Sequence, residues 1–250
     1  MLFRSGIFAL GYVTGVTQST TRNKYNYACD TSGSATVAST ASYQSYATGN
    51  STRGIFALGT NACGVNINTR NKYTYACDAN TSATASSVTS ARGTAAGSSI
   101  KGIFALGIGG GAFSSTRDKY TYACDTNGSA ASASATSACQ SSTGNSTRGI
   151  FALGYLISGV GAASTTRNKY TYACDTSGSA TASSIAGEAG AASGNSTRGI
   201  FAIGGTTGCV PVTTRNKYIY ASDTNCSAAA SSVASFGGSS ASNGTTGVNT

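Results

Sequence analysis

Seven acidic side chains are all this 250-residue chain offers for carboxylate chemistry: Asp30, Asp78, Asp118, Asp125, Asp175, Glu188 and Asp223. Histidine is absent, so neither a histidine-centred triad nor an imidazole proton shuttle can be assembled. A pair of carboxylates, the glycosidase arrangement, is the remaining hydrolytic route. Five of the acids stand in one recurring setting, six residues after a lysine: Lys24 and Asp30, Lys72 and Asp78, Lys119 and Asp125, Lys169 and Asp175, Lys217 and Asp223. Identical settings read as a structural charge pair or a turn cap at a strand end. Only Asp118 and Glu188 lie outside that set, and a catalytic pocket would have to unite them. The glycine-rich IGGGAF at Ile108–Phe113 lacks the Gly-Lys-Ser/Thr of a phosphate loop. The sequence therefore reads as a protein without catalysis and without a cofactor.

Cysteines give no metal site either. Cys29, Cys77, Cys124 and Cys174 hold one repeated position, where Ser222 stands in a fifth copy, and Cys63, Cys139, Cys209 and Cys226 are scattered. No C-x-x-C pair occurs. Equivalent sites on packed sheets lie about 10 Å apart, beyond the reach of a disulfide, so the repeated cysteine is expected to be a small buried apolar residue. Free thiols and the lack of a signal peptide lean towards a cytoplasmic or virion-associated setting.

Basic residues are the more promising chemistry. Sixteen Lys and Arg against seven acids give a net charge of +9. Arg53, Lys101, Arg148 and Arg198 each precede the same apolar motif, with Arg4 as a displaced equivalent. A ring of guanidinium groups at these positions would attract phosphate, sulfate or carboxylate. The opposing expectation is that each solvates a turn or pairs with an Asp. A second set, Arg22, Arg70, Arg117, Arg167 and Arg215, opens a strand and reads as structural.

The elements that must position these groups recur five times. GIFALG or its variant starts at Gly6, Gly54, Gly102, Gly149 and Gly199, dividing one 1–250 domain into repeats near 6–53, 54–101, 102–148, 149–198 and 199–250. GIFALG is apolar on both faces, as a strand held between layers must be. TRNKYTYACD follows, with alternating aromatic and charged faces expected to run as one strand to the Asp. A GSATASS-like block (Ser34–Ser39 in the first copy) and a looser Ala/Ser/Gly segment complete the unit. Between the first two blocks lie inserts of changing composition, Tyr12–Ser19, Thr60–Asn68, Ile108–Ser115, Tyr155–Ser164 and Gly205–Val212, which behave as surface loops. Asn50, Asn80, Asn145, Asn195, Asn225 and Asn243 open Asn-x-Ser/Thr triplets and read as turn residues. No apolar run reaches the roughly 18 residues of a membrane span.

Four strands in a 48-residue period match the scale of propeller blades. The order of apolar strand ending in glycine, variable loop, charged-aromatic strand and small-residue strand resembles a kelch-type β-propeller, with FAIGG at Phe201–Gly205 nearest the kelch double glycine. The kelch tryptophan is missing, and only Gly205 supplies the second glycine clearly. The GIFALG and TRNKYTY units also resemble those of tandem-repeat proteins of bacteria and their viruses. The expected architecture is thus an all-β, five-bladed propeller of four-stranded antiparallel blades. Its C-terminal segment, Ser239–Gly247, would complete the first blade and close a monomeric ring. A β-solenoid, with its repeats stacked along an axis, is the alternative, and either the chain is whole or it is cut from a longer array.

For function, the expectation is a non-catalytic scaffold whose variable loops recognise a protein or glycan. The alternatives are a polyanion binder using Arg53, Lys101, Arg148 and Arg198, and an enzyme with carboxylates in an axial pocket.

Overall fold

The computed structural model describes residues 5–9, 11–13, 17–109, 112–156, 162–238, 240–242 and 247–249. Arg4 and parts of three variable inserts lie outside them. Every regular element among the described residues is a β-strand. Alternating side chains and β-branched or aromatic residues favour this, and glycines at the block ends punctuate it.

The repeat unit folds as a four-stranded antiparallel meander. In the third sheet the order is Thr94–Gly97, Lys101–Ala105, Arg117–Thr121, Thr126–Ala130. The second, fourth and fifth sheets repeat it, opening at Tyr46–Gly49, Ser141–Gly144 and Ala191–Gly194. Their register is the same: Ile55 faces Lys72, Ile103 faces Lys119, Ile150 faces Lys169 and Ile200 faces Lys217. The first sheet has three strands, Ser5–Ala9, Arg22–Asn26 and Thr31–Ala35. Among the described residues no sheet closes on itself.

Burial on both faces of the GIFA strand is as the sequence requires. Ile103, Phe104, Ala105 and Leu106 are all buried, and their two faces serve different neighbours. Phe104, Leu106, Tyr120 and Tyr122 pack on Ile55 and Ala57 of the second sheet. Ile103 and Ala105 pack on Phe151, Tyr170 and Tyr172 of the fourth. Each sheet thus offers an Ile/Ala face to the next sheet's Phe/Tyr face, which removes apolar surface from water at every junction.

GIFALG ends in glycine because the backbone there is left-handed. Gly107 has φ +65°, and a Cβ on it would meet the Ala91 carbonyl oxygen at 2.4 Å. Gly59, Gly154 and Gly204 repeat the conformation.

Three expectations are corrected by these strands. The charged-aromatic strand stops at Asn26, Thr74, Thr121, Thr171 and Ile219, and the chain then turns. Its Asp lies in that turn with φ between 50° and 59°. The repeated cysteines ride on the turn, so Cys29, Cys77, Cys124 and Cys174 are exposed rather than buried. The tail also differs from the expected spare strand: Ser240–Ser242 pairs with Gly247–Asn249, Ser240 facing Asn249 and Ser242 facing Gly247. Its spacing matches the hairpin of the fifth sheet, where Ala192 faces Phe201 and Gly194 faces Gly199. The tail restates the opening hairpin of a unit, and Gly247–Asn249 stands where GIF stands elsewhere.

Candidate functional site

The repeated charges meet across the junctions, between copies. Arg70, fully buried, lays its guanidinium over the Phe104 ring of the next sheet, 4.3 Å from the centroid. Its Nη1 donates to Asn127 and its Nη2 to Asp118. Arg22 does the same over Phe56, Arg117 over Phe151 and Arg167 over Phe201, at 4.3–4.5 Å. Their Nη2 groups donate to Asn71, Asn168 and Asn216. An aromatic face and amide oxygens thus offset the desolvation of each guanidinium, although burial still draws Arg22, Arg117 and Arg167 down to about 10.

The lysines form a second layer. Lys24 reaches Asp78 at 3.1 Å, Lys72 reaches Asp125 at 2.6 Å, Lys169 reaches Asp223 at 2.5 Å, and Lys119 pairs with Asp175. Each Asp also accepts from the tyrosine five residues before it, Tyr73, Tyr120, Tyr170 or Tyr218. The Tyr73 hydroxyl is the main cause holding Asp78 at about 2. For Asp125 and Asp223, burial pushes upward, but the lysine and tyrosine partners outweigh it and both settle at about 2. The expected charge pair and turn cap are one and the same residue, and the lysine comes from the preceding copy.

The cations before GIFALG are also engaged. Arg53 Nη1 donates to the Tyr122 carbonyl at 2.8 Å, Lys101 Nζ to the Tyr172 carbonyl at 2.7 Å, and Arg148 Nη1 to the Tyr220 carbonyl at 2.9 Å. Arg198 is exposed. Asn50, Asn145 and Asn195 cap their turns, each side-chain oxygen accepting from the backbone two and three residues on.

A different group of residues surrounds open space. A cavity of about 450 Å³ takes wall from every repeat: Ile7–Ala9, Gln44–Ala47, Gly93–Ala95, Gln140–Ser142, Gly190–Ala192 and Ser240 all line it. It shares Gln44, Gly93, Gln140, Gly190 and Gly237 with a wider one of about 770 Å³. Tyr43, Arg92, Phe113, Tyr155, Glu188, Cys209 and Phe236 line the wider end. Phe113 and Tyr155 come from variable inserts and meet edge to face at 5.7 Å. Those inserts, expected as loops, carry short hairpins, such as Ile108–Gly109 with Ala112–Phe113.

One position sets the rim. Gln44, Arg92, Cys139, Ala189 and Gly237 occupy equivalent turns with φ between 48° and 72°. Backbone hydrogen bonds of 2.9 Å link the last four in series: Cys139 N–H to Arg92, Ala189 N–H to Cys139, Gly237 N–H to Ala189. Left-handed residues other than glycine are strained, and such strain gathers where side chains must be aimed. Sequence reasoning missed this set because Gln, Arg, Cys, Ala and Gly share no chemical signature.

The two acids outside the repeated set have separate surroundings. Asp118 replaces the Asn of the other copies and is buried against Arg70, Ser87 and Asn127. Glu188, 5 % exposed, lines the wide cavity and accepts from the Cys209 thiol at 3.8 Å; burial pushes its carboxyl upward. Among the described residues, no group of three or more Cys, Asp or Glu is placed to hold a metal ion, and no helix is long and apolar enough to cross a membrane.

No protein-family model matches the chain, and no curated protein matches it either.

Proposed function

We propose that the chain is a kelch-like, five-bladed β-propeller that acts as a non-catalytic recognition module, binding a protein or glycan at the wide end of its axial cavity. The observation that carries this reading is a division of labour. Residues written identically in each copy are spent on the junctions, whereas residues that differ between copies, Tyr43, Arg92, Phe113, Tyr155, Glu188 and Phe236, surround one open cavity. Walls drawn from all five repeats favour blades around an axis over coils stacked along one. Four flat aromatic side chains with a few polar groups among them form the kind of lining that orients a ligand, and the mixture favours a glycan, whose rings stack while its hydroxyls accept and donate.

A panel of soluble oligosaccharides, titrated calorimetrically against the whole chain, tests the reading. Binding that falls at least tenfold in Phe113→Ala and Tyr155→Ala, with unfolding temperature nearly unchanged, supports it. Binding that ignores both substitutions overturns the site. The polyanion alternative calls for free cations, and Arg53, Lys101 and Arg148 already donate to backbone carbonyls. Salt-dependent retention on heparin that disappears in Arg148→Ala with Arg198→Ala would favour it instead.

A further inference from the structure

Four junctions join the five repeat sheets; among the described residues the remaining face of the fifth sheet carries the two-stranded tail hairpin rather than a full repeat sheet, and the remaining face of the first shows no such junction. The exposed parts are those buried elsewhere. Ile200 and Arg215 are half-buried, whereas Ile55, Ile103, Ile150, Arg22, Arg70, Arg117 and Arg167 are buried. On the first sheet Asn23 and Tyr25 are half-buried, whereas Asn71, Asn168, Tyr73 and Tyr120 are buried. Asp30 accepts from Tyr25, but among the described residues no lysine is paired with it, unlike Asp78, Asp125, Asp175 and Asp223.

We propose that these two faces are the halves of a fifth junction of the same kind, and that the fifth sheet's partner is the first sheet of the same chain. This rests on the ring reading and adds the chemistry of its seam. Transferring the register of the four junctions, Arg215 stacks on Phe8 and donates to Asn23 and Ser32. Lys217 pairs with Asp30, and Arg198 caps the Tyr27 carbonyl. The signs complement: three cations on one face, an unpaired carboxylate and amide on the other. A partner in the same chain is favoured over a second copy because both ends already wall one cavity, Ile7, Phe8 and Ala9 on one side with Gly238 and Ser240 on the other. That proximity confers a high effective concentration.

In this structure the tail lies along the fifth sheet. Ser240 Oγ donates to the Ala192 carbonyl at 2.5 Å, seating the tail beside the fifth sheet. Its second strand, Gly247–Asn249, then takes the place that Gly6–Phe8 would hold. Asn249 stands at the register that Phe201 holds in the fifth sheet.

A charge swap in the full chain tests the seam. Lys217→Asp and Asp30→Lys are each expected to lower the unfolding temperature by about 2–4 °C, and the double variant to recover at least half of the combined loss. The same swap at Lys72 and Asp125 sets the reference coupling for a formed junction. Light scattering should give one mass at every protein concentration. Purely additive effects at Lys217 and Asp30, alongside coupling at Lys72 and Asp125, overturn the seam. Recovery accompanied by concentration-dependent association assigns the partner to a second copy and overturns the same-chain assignment. Small-angle scattering separates this from the parent reading: an elongated particle sinks the ring itself, whereas a compact one with additive swaps sinks only the seam.

Discussion

The junction between the second and third sheets and the rim of the wide cavity are built by opposite rules. At the junction, Arg70, Phe104, Lys72 and Asp125 are residue types copied along the chain, and every charge has a partner in the next copy. At the rim, a single backbone position carries Gln44, Arg92, Cys139, Ala189 and Gly237. The junction tolerates little change because its groups are desolvated and mutually dependent. The rim asks the sequence only for a left-handed turn, leaving the side chain free to differ. Residues that repeat hold the copies together, and residues that vary line the cavity.

The sharpest way to break this contrast is to orphan a junction charge. Asp118→Ala strands the buried Arg70 guanidinium and is expected to cost about 3–5 kcal/mol in urea unfolding. Asp118→Asn, which restores the residue found at the other junctions, should lose much less. If both cost the same, the pairing is not what stabilises the junction. A smaller loss is expected from Gly107→Ala, about 1–3 kcal/mol for a left-handed alanine, with crowding against the Ala91 carbonyl added to it. Cys139→Ala at the rim, already left-handed, should by contrast leave stability nearly unchanged.

Acid should loosen the junctions as a set. Asp78, Asp125 and Asp223 titrate at about 2 in the folded chain, against about 3.9 when unfolded. Because the folded values are depressed, the stability they contribute is complete above about pH 4 and is lost as pH falls towards 2. Unfolding temperatures followed from pH 5 to pH 2 should drop through that window, and less steeply in a variant carrying Asp78→Asn, Asp125→Asn and Asp223→Asn. Among the junction variants the smallest effect belongs to Lys72→Ala, whose partly exposed pair with Asp125 is worth at most about 1 kcal/mol. A larger loss would mean that the lysine layer, rather than the arginine–phenylalanine stack, carries the junction.

Much of this was visible before any coordinates. Five copies of GIFALG with both faces apolar demanded strands held between layers, and Ile103, Phe104, Ala105 and Leu106 are buried accordingly. The arginines that open TRNKY read as structural, and four of the five, Arg22, Arg70, Arg117 and Arg167, are among the most deeply buried side chains. Of the six asparagines read as turn residues, Asn50, Asn145 and Asn195 cap turns, whereas Asn80 and Asn225 lie within strands and Asn243 is outside the described residues. The missing histidine removed imidazole chemistry at once.

Period and side-chain alternation are local properties, so the chain alone determined that it is an all-β array of like units and which blocks form its strands. Which copy each charge meets is not local. Lys72 lies six residues before Asp78 yet pairs with Asp125, because the two faces of a sheet look towards different neighbours. The exposure of Cys77 followed from a strand ending at Thr74, and the gathering of Arg92, Phe113, Tyr155 and Glu188 around one cavity followed from the turns at its rim. Those outcomes belong to the tertiary structure, since packing, not sequence distance, decides which side chains share a space.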